Sequence, residues 1–581
     1  MSSFPRLSAW TAIVLWPVAL PASPVSPGTF EVFATRHSIG IEWSVDGDSD
    51  HDASASVEFR VAGAASWSPA MNLVRVDSDE ANALAGSIMF LQPGTEYEVR
   101  VRLTDPDGGE AERTAVVSTL PIPSRPQPSR TLHVVPGNGG GAGTAADPFR
   151  GLETAWAQAQ PGDELLLHAG HYGGVVDDNA RSGTQDRPIV FRPAGDGEVV
   201  FSYIQVFRRS HLWFEGLTFR YDGSSDTAFY SSLLNDGYDT GFQPMRADVT
   251  NIVLSRNRFE GFKHSIRAGP RTRGWYIADN TIVGDMRLGM DGTESFVGEG
   301  IELGHGNDHE VAYNTITRVA DGISYPNHNC DIYGNDIFDV TDDGIELDHG
   351  EANTRVWQNR IHNAGHNGIT FQPQGGAPWY IVRNQIVNAE ESVFKFREAD
   401  RFVAVHNTFV NWNEVLDHWS HQLLRGITRN NLWISVNGGP IWQRSDGGID
   451  WRTDLDYDGF DWGSNREPFD VAGRKYSSLD ALRTATGLEA HGIRIDARSC
   501  LETFDVPGPP PLTSVPPQAM TLRADCTAVD AGEPIPNLSG AYIGDAPDLG
   551  AYEHGAPVPH YGVRDAATTA PPAAPTGLVA E

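Results

Sequence analysis

Cysteine is scarce in this chain: Cys330, Cys500 and Cys526 are the only three in 581 residues. No spacing among them fits a zinc site. Cys330 lies inside the repeat described below and reads as a buried thiol. Cys500 and Cys526 flank a Pro-rich loop, where both the paired and the unpaired state are open for an exported chain. Basic residues are also short, 43 Lys and Arg against 76 Asp and Glu, for a formal charge of -33 and a pI near 4.8. Nucleic-acid binding needs a basic footprint, so that class is set aside. A bare polyanionic ligand is disfavoured unless a cation or a local basic groove mediates. No apolar run is long enough to span a membrane. The run from Ala9 to Leu20, after Arg6, reads as part of a secretory signal peptide over residues 1–23. The mature protein is therefore expected outside the cytoplasmic membrane, secreted or periplasmic. The Gly-rich stretch Gly137 to Gly143 has no Lys-Ser/Thr after it, which argues against a phosphate loop.

What the chain has in quantity is turn residues, 61 Gly and 38 Pro, and a repeat. Asn257, Asn280, Asn314, Asn335, Asn359, Asn384, Asn407 and Asn430 each precede an apolar residue by two positions, from Phe259 to Leu432. Their steps are 23, 34, 21, 24, 25, 23 and 23 residues. A fixed period with one long step is a solenoid carrying an inserted loop. The segments are short and β-branched, so the expected fold is all-β, a parallel β-helix of roughly ten coils over residues 131–560. Leu152, Ala155, Trp156 and Ala159 share one face of a helix that would cap its open end. Insertions are expected at about 221–246, with Phe229, Tyr230, Tyr238 and Phe242, and within Gly284 to Gly298. Residues 522–553 read as a closing coil and 561–581 as a flexible tail.

Ahead of the solenoid, residues 28–120 alternate with period two. Val57, Phe59 and Val61 share one face, as do Tyr97, Val99, Val101 and Leu103. The segment Leu91-Gln92-Pro93-Gly94-Thr95-Glu96-Tyr97, with Trp43 upstream, resembles the fibronectin type III signature, in which Tyr97 would make the tyrosine corner. A proline-rich linker, 121–130, follows.

Aligning coils on Ile301/Leu303, Ile323/Tyr325, Ile345/Leu347, Ile369/Phe371 and Phe394/Phe396 turns the residue between each pair outward. That column reads Arg267, Glu302, Ser324, Glu346, Thr370, Lys395, Asp417. Two residues on, a second reads Gly304, Pro326, Asp348, Gln372, Arg397. A third, in the preceding turn, reads Glu299, Asp321, Asp343, Asn367, and a fourth holds His305, Asn327 and His349. Stacked acids answer their mutual repulsion by a raised pKa or by binding a hard cation such as calcium. The bland alternative for the third column is turn chemistry.

A face of acids with a Lys, an Arg and a His, walled by insertions bearing aromatics, suits an extracellular sugar chain. The coil pattern from about 130 to 560 resembles the right-handed β-helix polysaccharide-active enzymes: pectate and alginate lyases, chondroitinase B and polygalacturonases. Polygalacturonases carry a paired Asp followed by Gly-His-Gly, whereas here Gly304-His305-Gly306 precedes Asp342-Asp343. The lyase resemblance implies β-elimination on a uronic-acid polysaccharide. Lys395 or His349 would be the base and Arg397 the carboxylate clamp. Asp343, Glu346 and Asp348 would hold calcium. Arg267, Glu302, His305 and Gln372 are expected to bind substrate. Glu302 and Glu346, two coils apart, also permit a glycoside hydrolase of acidic polysaccharide. A non-catalytic carbohydrate-binding protein is the third reading.

Overall fold

A computed structural model describes residues 23–565, apart from 78–81, 178, 232–248, 291, 398–399, 419–424, 444–448, 450–452, 472, 505–507 and 509–511. The apolar N-terminal stretch, Tyr238, Phe242 and the tail beyond 565 lie outside the described residues.

Alternation in the first hundred residues makes an antiparallel sandwich. Its seven strands, from Ser26–Ala34 to Ala111–Ser118, follow the order 1-2-5-4-3-6-7. The fourth, Ser68–Asp77, pairs with the third through Ala70 and with the fifth through Val74, so it links the two halves. Tyr97, Val99, Val101 and Leu103 fill the core with Val57 and Phe59. Val61, expected on the same face, lies at a strand end and is 43% exposed. The Tyr97 hydroxyl accepts the Gln92 N–H at 2.9 Å, tying the corner shut.

Residues 121–128 carry no regular structure, and Arg130–Val135 opens the solenoid. Three sheets of 14, 13 and 13 strands, parallel except where Phe469–Val471 pairs antiparallel with Arg474–Tyr476 at the end of the third, run its length in about 11 turns. They are called here the docking, strap and floor sheets. The cap helix is Leu152–Gln158, with Leu152, Ala155 and Trp156 buried against the first coils. Inward residues stack coil on coil. On the strap sheet the column runs Phe259, Ile282, Ile316, Ile337, Ile361, Ile386, Phe409, Trp433. Phe409 and Trp433 stack at 4.5 Å.

The asparagines beside that column form one hydrogen-bonded ladder. Asn359 Nδ2 donates to Ile332 O at 2.9 Å and to Asn384 Oδ1 at 3.0 Å, while its Oδ1 accepts Asn335 N and Nδ2. The last amide is Asn431, not Asn430: Asn407 donates to Asn431 Oδ1, and Asn431 to Asp458 Oδ1. Asn430 sits one residue early, in a left-handed turn (φ 59°), and its amide faces Glu533 O and His406.

The sandwich is packed onto the docking sheet. That sheet turns Tyr276, Tyr333, Trp357 and Tyr380 outward, and Val74, Met89 and Phe90 of the sandwich cover them. Arg36 pairs with Glu310 at 2.6 Å and Glu42 with His328 at 2.7 Å. Beneath them Arg355 and Asp331, both fully buried, pair at 2.8 Å, and Arg355 also donates to Ser87 Oγ. This interface fixes the module in place.

The C-terminal stretch makes no closing coil. From Met520 the chain turns back along the solenoid. Gly550 N donates to Asn430 O, Ala551 N to Thr408 Oγ1, Tyr552 Oη to Gln385 and Gly562 N to Gly334 O. Arg564 pairs with Asp279 at 2.7 Å and lies 4.0 Å over the Tyr313 ring. Residues 561–565, expected to begin a flexible tail, are thus docked. Cys500 and Cys526 are bonded where this strap begins, and Cys330 is a buried free thiol.

Candidate active site

Each floor strand begins at a tight turn. At Gly322 an added Cβ would stand 2.4 Å from Gly344 O and 2.6 Å from Ile337 Cγ2, so no side chain fits. The following residues alternate, which sets Ile323 inward and Ser324 outward. Register confirms the outward column: Arg267, Glu302, Ser324, Glu346, Thr370, Lys395 and Asp417 are successive partners.

The turn column is a second polar ladder. Asp321 Oδ1 accepts Asp343 N, Asp343 Oδ1 accepts Asn367 N and Nδ2, and Asn367 Oδ1 accepts Ser392 Oγ. Asp343 Oδ2 accepts the Thr370 hydroxyl at 2.9 Å. Turn chemistry therefore explains Asp321 and Asp343 as supports. Glu299 is the register partner of Asp321 one coil before the ladder and lies beside a residue the sequence reading missed. His264 Nδ1 contacts the Glu299 carboxylate and lies 3.5 Å from Glu302 Oε2. Arg267 Nε stands 2.8 Å from the same Glu302 oxygen. Burial works against charge on His264, and the two glutamates outweigh it, lifting it to about 9.

Across the gap over Ser324, Glu346 has the opposite surroundings. Burial, then the charges of Asp348 and Asp343, push its carboxyl up to about 9. Burial likewise lifts Asp348 to about 7 and, with Asp342, Asp343 to about 6. Tyr325, next to Glu346, is pushed up by burial and by that carboxyl. Burial thus raises the carboxyls at the centre of the floor, while its edge holds ion pairs.

Beyond Glu346 lies a second histidine missed in the sequence. His366 Nδ1 faces Asp342 at 3.2 Å and its Nε2 faces Glu391 at 2.9 Å. Burial opposes its charge, but Asp342 and Glu391 raise it to about 10. Lys395 is buried, with Nζ 3.5 Å from Glu391. Arg397, two residues on, is exposed. Phe296 of the inserted loop, 51% exposed, stands 5.6 Å from the His366 ring and makes one wall. The other wall holds His305, 6.4 Å from His349 and 5.3 Å from Tyr325. Burial and His349 lower the His305 pKa. Gln372 accompanies them, its N–H given to Asp348 at 2.5 Å. Of the two expected aromatics among the described residues, Phe229 is core and Tyr230 faces the floor.

Among the described residues, Asp343, Glu346 and Asp348, expected to hold calcium, do not form a group whose ligand atoms all lie within 4.8 Å of one another. The floor groups whose ligand atoms lie within 4.8 Å of one another are Asp342, Asp343 and His366, and His264, Glu299 and Glu302. In each an imidazole already supplies the positive charge. Asp343 has both oxygens engaged. Calcium takes oxygen ligands, and each of these two groups includes one nitrogen ligand.

Among known proteins, the family model described as a right handed beta helix region matches residues 249–411. No curated protein matches. A solved structure of XylC in complex with xylose is similar at 14% identity and a TM-score of 0.32, over 52% of this chain and 69% of that chain. No helix among the described residues is long and apolar enough to cross a membrane.

Proposed function

We propose that the protein is a glycoside hydrolase that cleaves a polysaccharide lying on the floor sheet, with Glu346 as general acid and Glu302 as general base. One observation carries this reading. Two outward carboxyls, two coils apart in register, have environments that part their roles. Glu346 is kept protonated, and Glu302 is held between Arg267 and His264. Such a division is the requirement of acid–base glycoside cleavage. The backbones are about 9.6 Å apart, a spacing suited to the ~6.5–9.5 Å between carboxyls in inverting enzymes. Glu346 protonates the glycosidic oxygen as the bond to the anomeric carbon breaks. Glu302 takes a proton from the water that attacks that carbon from the opposite side.

Elimination is supported less well. It needs a cation to neutralise a uronate carboxylate. Lys395, one of its two expected bases, faces Glu391 at 3.5 Å, which leaves that reading on His349 as base and the exposed Arg397 as carboxylate clamp. The apolar N-terminal run and the Cys500–Cys526 bond support action outside the cytoplasm. The strand order and the Tyr97 corner support a fibronectin-type module.

The test is digestion of a polysaccharide panel. The expected products are new reducing ends without ultraviolet absorbance, with the anomeric centre inverted in proton NMR. Glu346→Gln should lower kcat by about 10²–10⁴-fold with the fold unchanged. Because protonated Glu346 is the active form, kcat/KM should fall as pH rises through about 9. Unsaturated products would instead establish elimination, and binding without turnover a non-catalytic role.

A further inference from the structure

The floor column does not stop at the catalytic pair. One coil before Glu302 stands Arg267, and before that Tyr230 and then Gln205. Here the surface changes from charged to aromatic. Tyr203 and Phe207, both partly exposed, lie 6.1 and 6.0 Å from the Tyr230 ring. The Tyr203 ring lies across Gly174 of the preceding coil. A Cβ there would stand 2.2 Å from the Tyr203 ring carbons, so the absent side chain makes room for the ring. Tyr230 continues the line of Glu302 along the solenoid axis two coils, about 9.6 Å, before it, and Tyr203 and Phe207 flank that line one coil further on, two residues to either side of Gln205.

Charge on the floor bears on what can lie there. His264, Arg267, His366 and Lys395 each face a carboxylate of the protein itself. A chain of uronates would meet a surface already rich in acids, with those cations committed. Uncharged sugars meet no such field, and their apolar ring faces pack on aromatic side chains.

Resting on the hydrolase reading, we propose that the substrate is an uncharged polysaccharide running parallel to the solenoid axis, with sugar rings on one side of the scissile bond seated on Tyr203 and Phe207, which the buried Tyr230 ring backs. Arg267, between these rings and Glu302, marks the boundary between the binding and cleaving stretches.

Affinity electrophoresis of the full chain carrying Glu346→Gln tests this without turnover. The probes are hydroxyethylcellulose, arabinoxylan and galactomannan against polygalacturonate and alginate. Retardation by at least one neutral polymer and by neither uronate polymer is expected. Phe207→Ala should weaken that retention by about tenfold, the strength of one aromatic contact, and Tyr203→Ala likewise. Tyr203→Phe, which keeps the ring, should retain it and guards against a folding defect. Retention only by the uronate polymers, by none of the five, or unaltered by loss of either ring overturns the proposal. Neutral-polymer retention without cleavage by the unsubstituted protein would sink the hydrolase reading and leave the aromatic subsite standing. Cleavage with KM and product length unchanged in both ring-removal variants would do the reverse.

Discussion

Two polar ladders climb this solenoid, and they differ in one atom type. The strap-side ladder is built of asparagines, each with a donor and an acceptor. Asn359 uses both, closing on Ile332 O, Asn335 and Asn384, and no charge is required. The floor-side ladder puts Asp321 and Asp343 in the equivalent role, and a carboxylate can only accept unless protonated. Its polarity is reversed as well. Each asparagine oxygen serves the coil before it, whereas each aspartate oxygen serves the coil after it. The amide ladder is therefore saturated and inert. The acid ladder supports the turns while its charges help hold a proton on Glu346. One ladder is scaffold; the other makes a scaffold element part of the chemistry.

Exchanging the atom types breaks the comparison most sharply in one direction. Asn359→Asp would set a buried carboxylate against Ile332 O, Trp357 O and Asn384 Oδ1. It should cost about 3–5 kcal/mol, the penalty of an uncompensated buried charge, read as a lower denaturation midpoint. A smaller effect lies at the ladder's end, where Asn431 meets Asp458 and Asp458 N meets Glu489. Burial and Asp458 push Glu489 well above the ordinary carboxyl range, and burial lifts Asp458 to about 6. Raised carboxyl values mean stability that is full below the unfolded value of about 4.3 and lost as pH climbs through the folded one. Glu489→Gln should flatten that loss in melting curves taken from pH 5 to 9. The smallest change in stability, within about 1 kcal/mol, is expected for Asp343→Asn, which keeps the acceptor for Asn367. Its signature is kinetic. With one charge fewer beside Glu346, the alkaline limb of kcat/KM should move to lower pH. An unmoved limb would show that the ladder does not tune the acid.

The outward column was legible because a period converts directly into neighbours, and Glu302, Glu346 and Lys395 fall where counting puts them. Counting failed by one residue at Asn430-Asn431, where both members of a pair match and only the backbone turn decides. His264 escaped because its coil has Ser265 where later coils have glycine, so the turn motif that would have aligned it is absent. His366 precedes Asn367-Gly368 and falls outside the aligned columns, so counting did not single it out. The seat of the sandwich did leave a trace. Tyr276, Tyr333, Trp357 and Tyr380 occupy outward positions of one sheet, where an open surface would not place four large aromatics. The strap left none, since its bonds join residues more than 100 positions apart with no period.

That strap alters how the molecule can come apart. A stacked repeat in which each coil touches only its neighbours frays from an end, one unit at a time. Here the chain beyond the last coils is fastened at Thr408, Gln385, Gly334 and Asp279, so peeling an end coil also strains attachments far down the stack. The array behaves like a laced column, in which cutting one lace loosens several tiers at once.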